Sequence, residues 1–300
     1  MSNRIPIFCA TDENYAPFAS LMMKSVLMHT ESFIDFYIMD GGICDKTKKL
    51  IDKDLKKYPN KELHYIDMGK YDLSQFPNLA YYSLNTFSRY FIPDITPQLS
   101  KIIYLDVDII VTDDIAGLYC HELNGCAIAA MPESKYFCNN SQNRVRQIVW
   151  PKYHKDSHYF NAGVLLLDIQ KLIQMDFTQK AVDLTVALYH KLGCPDQDVL
   201  NILFENNYKE LTYDFNFMVY YENNLKKRFP DIQSIKPSVI HYAVFKPWKE
   251  YSPFFEEFNA VLQTSVFCKR VMRQFRSQKT SKYYLFGCIP LFEKSKIKNI

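Results

Sequence analysis

The chain has 300 residues, enough for one large domain or two small ones, and 48% of them are hydrophobic, which excludes a disordered chain. Its 36 basic and 33 acidic residues give a formal net charge of +3, which excludes a nucleic-acid binder that relies on bulk charge. The eight glycines match neither common phosphate-binding pattern, and the eight cysteines form no C-x-x-C pair, which argues against a P-loop, a dinucleotide fingerprint and a zinc site.

Short apolar runs alternate with amphipathic segments in the first half of the chain, which predicts alternating strands and helices. Strands are predicted at 5–10, 35–40, 62–68 and 101–111. Helices are predicted up to His29, from Asp45 to before Pro59, and at 85–91 before breaks at Pro93 and Pro97. The run at 101–111 is the most hydrophobic, and its β-branched content predicts a central strand.

The second half continues the alternation. Strands are predicted at 126–131, 159–169, 211–217 and 239–243, and helices at 177–190 and 196–206. This order predicts an α/β fold with an open, largely parallel central sheet. In such sheets ligands bind outside the carboxyl ends of the strands, where the strand order reverses.

The composition changes after residue 265. Residues 266–300 contain nine Lys or Arg, a single acid, Glu293, and aromatic clusters between the basic groups. We therefore divide the chain into a domain at 1–265 and a helical, basic and aromatic tail at 266–300 that associates with an anionic membrane surface. A solvated helix with a frayed terminus stays open as an alternative, and so does single-stranded nucleic acid. Truncation after about residue 265 is expected to leave a soluble activity.

The strongest chemical signal is an acidic pair, Asp106 and Asp108, in the run at 101–111. Side chains alternate faces along a strand, so the two acids would share one side while Val107 points to the other. Two carboxylates in an apolar strand require neutralisation by a cation or by hydrogen bonds. The pair predicts a site for Mn²⁺, or for Mg²⁺. The alternative is that the acids cap adjacent helices.

Five further segments carry chemistry along residues 10–248. The set comprises ATDENY at 10–15, TFSRY at 86–90, YLDVD at 104–108, YFNAGV at 159–164, DQD at 196–198, and HY at 241–242 with KPW at 246–248. In this order the segments resemble glycosyltransferase family 8, whose members are retaining, metal-dependent transferases with the GT-A fold. The resemblance implies that residues 1–265 form a GT-A catalytic domain.

The resemblance also implies a role for each segment. The first loop would bind uracil and ribose, and the last would hold the diphosphate. The implied donor-binding residues are Ala10, Asp12, Asn14, Tyr15, Arg89, Asp106, Val107, Asp108, Asn161, Gly163 and Lys246. The implied metal ligands are Asp106, Asp108 and His241. The implied catalytic residues are Asp196, which would bind sugar hydroxyls, and Gln197, which would lie beneath the anomeric carbon.

Each of these segments also has a purely structural interpretation. His241 would be a core histidine, Lys246 a surface lysine, and the acids at 196–198 a helix start favoured by the macrodipole. Asn161 and Gly163 would then mark a bulge in a buried strand.

Two departures from the family pattern stand out. The linker at 243–245 is short and lacks the usual glycine, and Glu133 stands where relatives can carry an aspartate.

The expected function is the retaining transfer of galactose or glucose from a UDP-sugar to a saccharide acceptor of a lipopolysaccharide or another glycolipid. Nucleic acid is not an expected partner. The residues up to Tyr15 lack the pattern of a secretory signal, so a cytoplasmic location at the inner face of the cell membrane is predicted. The alternatives are an inactive module that binds sugar nucleotides or glycans, and a metal-dependent nucleotidyltransferase.

Overall fold

A computed structural model of the chain describes residues 4–76, 84–137, 145, 148, 158–219, 229, 234–250, 252–277, 281–285 and 289–294. Strands and helices alternate in its first part, as predicted. The elements are β1 (Arg4–Thr11), α1 (Ala16–His29), β2 (Phe33–Asp40), α2 (Asp45–Leu55), β3 (Lys61–Asp67), a 3-10 helix (Leu84–Phe91), α3 (Ile92–Ile95) and β4 (Lys101–Leu105). Pro93 lies in the first turn of α3, where proline is tolerated, so the predicted break is displaced to the end of that helix.

The second part of the chain supplies shorter elements. They are β5 (Ile109–Val111), α4 (Ala116–Tyr119), β6 (Ile128–Met131), α5 (Glu133–Tyr136), β7 (Asn161–Asp168), α6 (Ile169–Gln174), α7 (Phe177–Leu188), α8 (Pro195–Leu203), β8 (Lys209–Glu210), β9 (Phe217–Met218), β10 (Val239–His241) and α9 (Phe255–Gln263). The tail contains α10 (Cys268–Ser277), as predicted, and then a hairpin of β11 (Ser281–Leu285) and β12 (Ile289–Lys294), which was not predicted. Of the basic tail residues, Lys279, Lys296 and Lys298 lie outside the described residues.

Seven strands form the main sheet in the order β3-β2-β1-β4-β7-β6-β8. Among these described strands only β7 runs against its neighbours, so the predicted largely parallel sheet is confirmed. A smaller sheet has the order β5-β10-β9. Because β7 is antiparallel to β4, the start of β7 lies at the edge of the sheet where β1 and β4 end.

Two strand predictions are wrong in part. The run at 101–111 is two strands in different sheets, since β4 pairs with β7 and β5 pairs with β10. Asp106, Val107 and Asp108 therefore form the turn between the two strands instead of lying within one. In the run at 211–217, residues Tyr213–Asn216 form a 3-10 helix and only Phe217 belongs to a strand, because the Asp214 carboxylate accepts hydrogen bonds from Ser238 and draws the chain into a turn.

Both faces of the main sheet are covered by apolar side chains, as expected for a sheet with helices on both sides. Alternate residues of β1 divide between the faces: Ile7 and Cys9 belong to one buried cluster and Phe8 to the other. The first cluster also takes in Phe267, which directly precedes α10, and Val271 and Met272 from α10. The division at residue 265 stays a prediction, but these three buried side chains lie beyond it.

Within the described residues, no helix combines the length and the apolar character that crossing a bilayer demands.

Candidate functional site

A cleft lies at the edge of the sheet where β1 and β4 end and β7 begins. Two adjoining cavities of about 470 and 290 Å³ form it. They share five lining residues: Thr86, Arg89, Asp106, Asp108 and Ala243. A third cavity of about 920 Å³ lies beside the first, next to Asp12 and Asn85. The position is the one that the predicted sheet order indicated for a ligand.

Asp106, Asp108 and His241 converge in this cleft, and one ligand atom from each lies within 4.8 Å of the others. His241 Nε2 is 3.3 Å from Asp108 Oδ1 and 3.9 Å from Asp106 Oδ2. The convergence follows from strand pairing. His241 is the register partner of Ile109 in the β5–β10 ladder, and the Tyr242 amide donates to the Asp108 carbonyl at 2.9 Å.

A chain of hydrogen bonds places a proton on Nδ1 of His241. The Gly163 backbone amide donates to Asn161 Oδ1 at 2.9 Å, which identifies that atom as an oxygen. The same oxygen accepts from Asn216 Nδ2 at 2.9 Å, so the other terminal atom of Asn216 is an oxygen, and it lies 2.9 Å from His241 Nδ1. Since an amide oxygen can only accept, Nδ1 carries the proton. In the neutral ring Nε2 then presents a lone pair to the two carboxylates.

One oxygen of each carboxylate, Asp106 Oδ1 and Asp108 Oδ2, already accepts hydrogen bonds from other side chains. Arg89 Nη2 and the Tyr104 hydroxyl each donate to Asp106 Oδ1 at 2.9 Å, and Lys246 Nζ donates to Asp108 Oδ2. Asp106 Oδ2 and Asp108 Oδ1 face the histidine nitrogen. Two carboxylate oxygens and an imidazole lone pair directed at one another repel unless a cation lies between them. This donor set suits a divalent ion such as Mn²⁺.

Asp108 is held in its ionised form. Burial alone would raise the pKa of its carboxyl, but the Lys246 ammonium group opposes this effect, and the pKa lies well below its usual range. A second group, Asp35, Glu62 and His64, also has ligand atoms close together. Arg4 donates to both acids of that group, so their outward oxygens are already used and part of their negative charge is compensated.

Arg89 organises the floor of the cleft. Its guanidinium donates to the Ala162 carbonyl at 2.7 Å, and its Nε lies 3.1 Å from Asp196 Oδ2. The group is buried and packs over the Tyr104 ring, with 4.4 Å between the guanidinium carbon and the ring centroid. Burial raises the pKa of the Asp196 carboxyl above its ordinary value in spite of this guanidinium. The arginine thus ties Asp196 on α8 to the acidic pair after β4.

The Gln197 amide uses its full hydrogen-bonding capacity. Its Oε1 accepts from the Ala162 amide at 2.9 Å and from Asn161 Nδ2 at 3.0 Å. Its Nε2 donates to Glu133 Oε2 at 3.2 Å and to the Tyr159 hydroxyl at 3.1 Å. A primary amide has two acceptor sites and two protons, and all four are used here. Gln197 is therefore held in one orientation at the bottom of the cleft.

The loop after β1 forms one wall. Asp12 Oδ1 accepts from the amides of Asn14 and Tyr15 at 2.9 and 3.0 Å, which shapes the start of α1. Ala10, Asp12 and Tyr15 line the cleft, as Val107 does, whereas Asn14 is exposed and lies outside the lining.

Trp248 fixes the opposite wall, the loop at 243–248. Its ring stacks on Phe18 of α1 with 3.9 Å between centroids, and it meets Tyr15 edge-on at 6.4 Å. Lys246 Nζ donates to the Ala243 carbonyl at 3.2 Å as well as to Asp108. The loop lacks the family's glycine, yet it brings its lysine to the acidic pair.

Gly163 supplies the space that the cluster requires. A Cβ built on this residue would collide with the His241 ring and lie 2.8 Å from Asp106 Oδ2. Asn161 lines the same part of the cleft. All predicted site residues except Asn14 therefore meet in or directly behind the cleft.

Asn216 is the functional residue that the motifs missed. Its one signal in the sequence is a buried-strand pattern interrupted by an amide between Phe215 and Phe217. Thr86 and Asn85 also line the cleft; Thr86 begins the TFSRY segment, but neither residue was among the predicted site residues.

The sequence model of Glycosyl transferase family 8 matches residues 6–252. Glycosyltransferase GlyB of Streptococcus pneumoniae serotype 4 is 32% identical over 263 residues, which are 83% of this chain and 58% of that protein. Lipopolysaccharide 1,2-glucosyltransferase of Escherichia coli K12 is 25% identical over 252 residues, with 80% and 72% covered. The chain spans 33% to 58% of the length of the pneumococcal relatives that it matches.

Among solved structures, galactosyltransferase LgtC in complex with donor and acceptor sugar analogues superposes with a TM-score of 0.68 at 23% identity. The superposition covers 92% of this chain and 97% of that one. At this identity the likeness concerns the fold, which the two chains share.

Proposed function

The chain belongs to glycosyltransferase family 8 and has the GT-A fold, and from this premise we propose that it is a retaining hexosyltransferase that uses a UDP-sugar donor. The observation that carries the proposal is the cluster of Asp106, Asp108 and His241, with Lys246 beside it. The cluster presents two carboxylate oxygens and an imidazole lone pair at the edge of the nucleotide cleft, which is the donor set expected for Mn²⁺, with Mg²⁺ as the second choice.

The donor fits the cleft from one end to the other. The nucleoside would lie against Ala10, Asp12 and Tyr15, where a partly exposed aromatic ring is available for stacking. Asp106, Asp108 and His241 would hold the divalent ion, whose positive charge would stabilise the negative charge that develops on the leaving nucleotide. Lys246 supplies a cation at the same place, and a phosphate oxygen would compete with Asp108 for its ammonium group. Asn14 lies on the same turn but is exposed and outside the lining of the cleft.

The sugar would occupy the inner cavity. Asp196 and Asn161 line this cavity, and they offer a carboxylate and an amide to the hydroxyls of the sugar. Arg89 forms ion pairs with Asp106 and with Asp196. Gln197 at the bottom is a neutral amide with all its hydrogen bonds made, so it is a poor nucleophile and a firm surface for the anomeric carbon. This favours retention by a same-face displacement, in which the departing phosphate takes the acceptor's proton.

Galactose or glucose is the proposed hexose, and a lipopolysaccharide or another glycolipid is the proposed source of the acceptor saccharide. The E. coli relative, named as a lipopolysaccharide glucosyltransferase, supports this choice. The basic tail at 266–300 supports a place at the inner, cytoplasmic face of the membrane, since basic and aromatic residues favour anionic lipid surfaces. Nucleic acid has no part in the proposal.

The test begins with a donor screen. We expect UDP release from UDP-galactose or UDP-glucose in the presence of Mn²⁺, its loss on chelation and its return when Mn²⁺ is added back. Asp108→Asn removes one charge from the cluster and is expected to lower turnover at least about a hundredfold. The matched control, Asp52→Asn, removes an exposed acid on α2 and is expected to change turnover less than about twofold.

Three outcomes contradict the proposal. A folded Asp108→Asn protein with normal turnover would exclude the metal role. Donor binding without any UDP release would indicate an inactive sugar-nucleotide or glycan-binding module. Pyrophosphate formed from a nucleoside triphosphate and a sugar phosphate would indicate a nucleotidyltransferase.

A further inference from the structure

The loop that follows β1 is held from outside the cleft by a residue of the tail. Arg270 of α10 donates from Nη2 to the backbone carbonyl of Glu13 at 3.0 Å, and its Nη1 lies 3.4 Å from Glu13 Oε1. Glu13 stands between Asp12 and Asn14, so its peptide is part of the turn that presents Asp12 to the cleft.

Glu13 joins three elements. Its Oε1 accepts from the Thr47 hydroxyl at 2.8 Å, and its Oε2 accepts from the Cys44 amide at 3.1 Å, both at the start of α2. Arg270 adds α10 to this junction. These hydrogen bonds and the arginine hold the pKa of the Glu13 carboxyl below its ordinary value against the opposing effect of burial. The glutamate is thus an anion that links the loop, α2 and α10.

The base of Arg270 is rigid. The chain enters α10 through Thr264, Ser265 and Val266, and these three residues bond to the buried pair of Lys24 and Asp54. Lys24 Nζ donates to Asp54 Oδ1 at 2.8 Å and to the Thr264 carbonyl at 2.7 Å. Asp54 also accepts from the Ser265 hydroxyl and the Val266 amide, each at 2.8 Å. Both charged side chains are almost fully buried, so α10 begins from a fixed point on α1 and α2.

A rigid base and a bond to a backbone carbonyl distinguish this contact from an ordinary surface ion pair. A solvent-exposed pair orders two flexible side chains and contributes little. Here the guanidinium reaches the main chain of the loop, and the apolar residues Val271 and Met272 on the same helix are buried, as is Phe267 directly before it. Loss of Arg270 would free the outer side of the loop while its inner contacts remain.

We propose that Arg270 is a positioning residue for the donor: it holds the turn at 12–15 in the shape that receives the nucleoside. The inference rests on the proposed function, because the turn matters only if a UDP-sugar binds there. It assigns the first part of α10 to the donor site and leaves only the later part of the tail for the membrane.

The experiment measures binding of UDP in the presence of Mn²⁺ by calorimetry on the full chain. Arg270→Gln removes the charge and keeps much of the volume, and we expect its Kd for UDP to rise about three- to tenfold. Arg270→Lys keeps the charge but has only one nitrogen with which to contact Glu13. Its Kd for UDP is expected to lie between those of the wild type and Arg270→Gln. The control Lys49→Gln, an exposed change on α2, is expected to match the wild type.

Two further readouts separate positioning from general loss of structure. The affinity for Mn²⁺ alone and the thermal midpoint are expected to stay at wild-type values in Arg270→Gln, because neither the metal cluster nor the core is altered. With the donor found in the screen, KM is expected to rise in parallel with Kd while kcat stays within about twofold. A fall in kcat at constant KM contradicts positioning of the donor.

Failure of the inference and failure of the proposed function give different results. Wild-type protein that binds no UDP overturns both. Wild-type protein that binds UDP, together with an Arg270→Gln variant of equal affinity, overturns the inference alone.

Discussion

The position of one ring proton determines whether His241 can coordinate a metal ion through Nε2. Two contacts to backbone or amide groups fix the orientation of Asn161, Asn161 fixes Asn216, and Asn216 fixes the proton on Nδ1. The nitrogen that faces the acidic pair is therefore the one with the lone pair. Residues behind metal ligands commonly act in this way, and their loss weakens metal binding although they never touch the ion.

Replacement of Asn216 tests this relay. Asn216→Leu keeps the side chain's size but removes the acceptor for His241 Nδ1, so the ring is free to turn and to present either nitrogen. We expect the Kd for Mn²⁺ to rise about 10- to 100-fold, measured by calorimetry. Asn207→Leu, at an exposed position outside the cleft, serves as the control. Equal Mn²⁺ affinity in the Asn216 variant and the wild type would show that the tautomer has no influence.

The chemistry of the site was predictable at the residue level where a residue type is rare in its surroundings. Asp106 and Asp108 stand out because they interrupt an apolar run, whereas His241 and Lys246 were predicted only through the resemblance, since from residue type alone they are a core histidine and a surface lysine. Asn216 does not stand out, because asparagine is common in turns and its role depends on which side chain lies behind it. Asn14 was predicted from the resemblance, and its exposure follows from Asp12, which uses its carboxylate to cap the turn.

Among the elements, the break between β4 and β5 shows what periodicity omits. Residues 101–111 are apolar except for Lys101, Asp106 and Asp108, and their pattern predicts one strand. The first five pair with β7 and the last three with β10, and only the choice of partner separates them. The pattern of a single segment contains no information about partners far along the chain, so the strand was predicted and its break was not. The break places both acids in a turn, where they are free of the apolar layer.

The helices α1, α2 and α10 are joined by a charged pair inside the core. Lys24 and Asp54 are buried, and Ser20, Thr264, Ser265 and Val266 complete their hydrogen bonds. A buried pair of this kind contributes little net stability compared with apolar residues of the same volume. Loss of one partner alone is costly, because the other charge stays buried without its counterion.

The stability of the variant Lys24→Met tests this description. Methionine has a similar length but leaves the Asp54 carboxylate without its cation, so we expect the free energy of unfolding to fall by about 3 to 5 kcal/mol, measured in urea. The loss should persist in high salt, because a buried pair is poorly screened. Lys49→Met, at an exposed position on the same helix as Asp54, is the control. A change below about 1 kcal/mol would contradict the description.

At the scale of the whole molecule, the boundary at 265 predicted from composition divides residues that pack together. Composition shows where basic residues accumulate, but it does not show which apolar residues among them are buried. Phe267, Val271 and Met272 belong to the core, and the Val266 amide bonds to Asp54. The early part of the tail therefore packs with the domain, and we limit the proposal of a membrane role to the residues after α10.

Two truncations distinguish these parts. A chain ending at Ser277 keeps α10, and we expect it to retain transfer to small acceptors while its binding to anionic vesicles weakens and loses its salt dependence. A chain ending at Ser265 loses three buried apolar side chains, and its free energy of unfolding is expected to fall by about 5 kcal/mol or more. Circular dichroism during urea titration and vesicle sedimentation are the measurements. Equal free energies of unfolding of the two truncated chains would support a domain boundary at 265.

The pairing of β5 with β10 also sets the order of events during synthesis. Asp106 and Asp108 leave the ribosome long before His241, and the imidazole reaches them only when a strand from the last quarter of the chain adds to one laid down much earlier. The ion proposed for this cluster would find its third ligand only after residue 241 has been synthesised and β10 has paired with β5. A polypeptide stalled before residue 241 would hold the acidic turn without the imidazole.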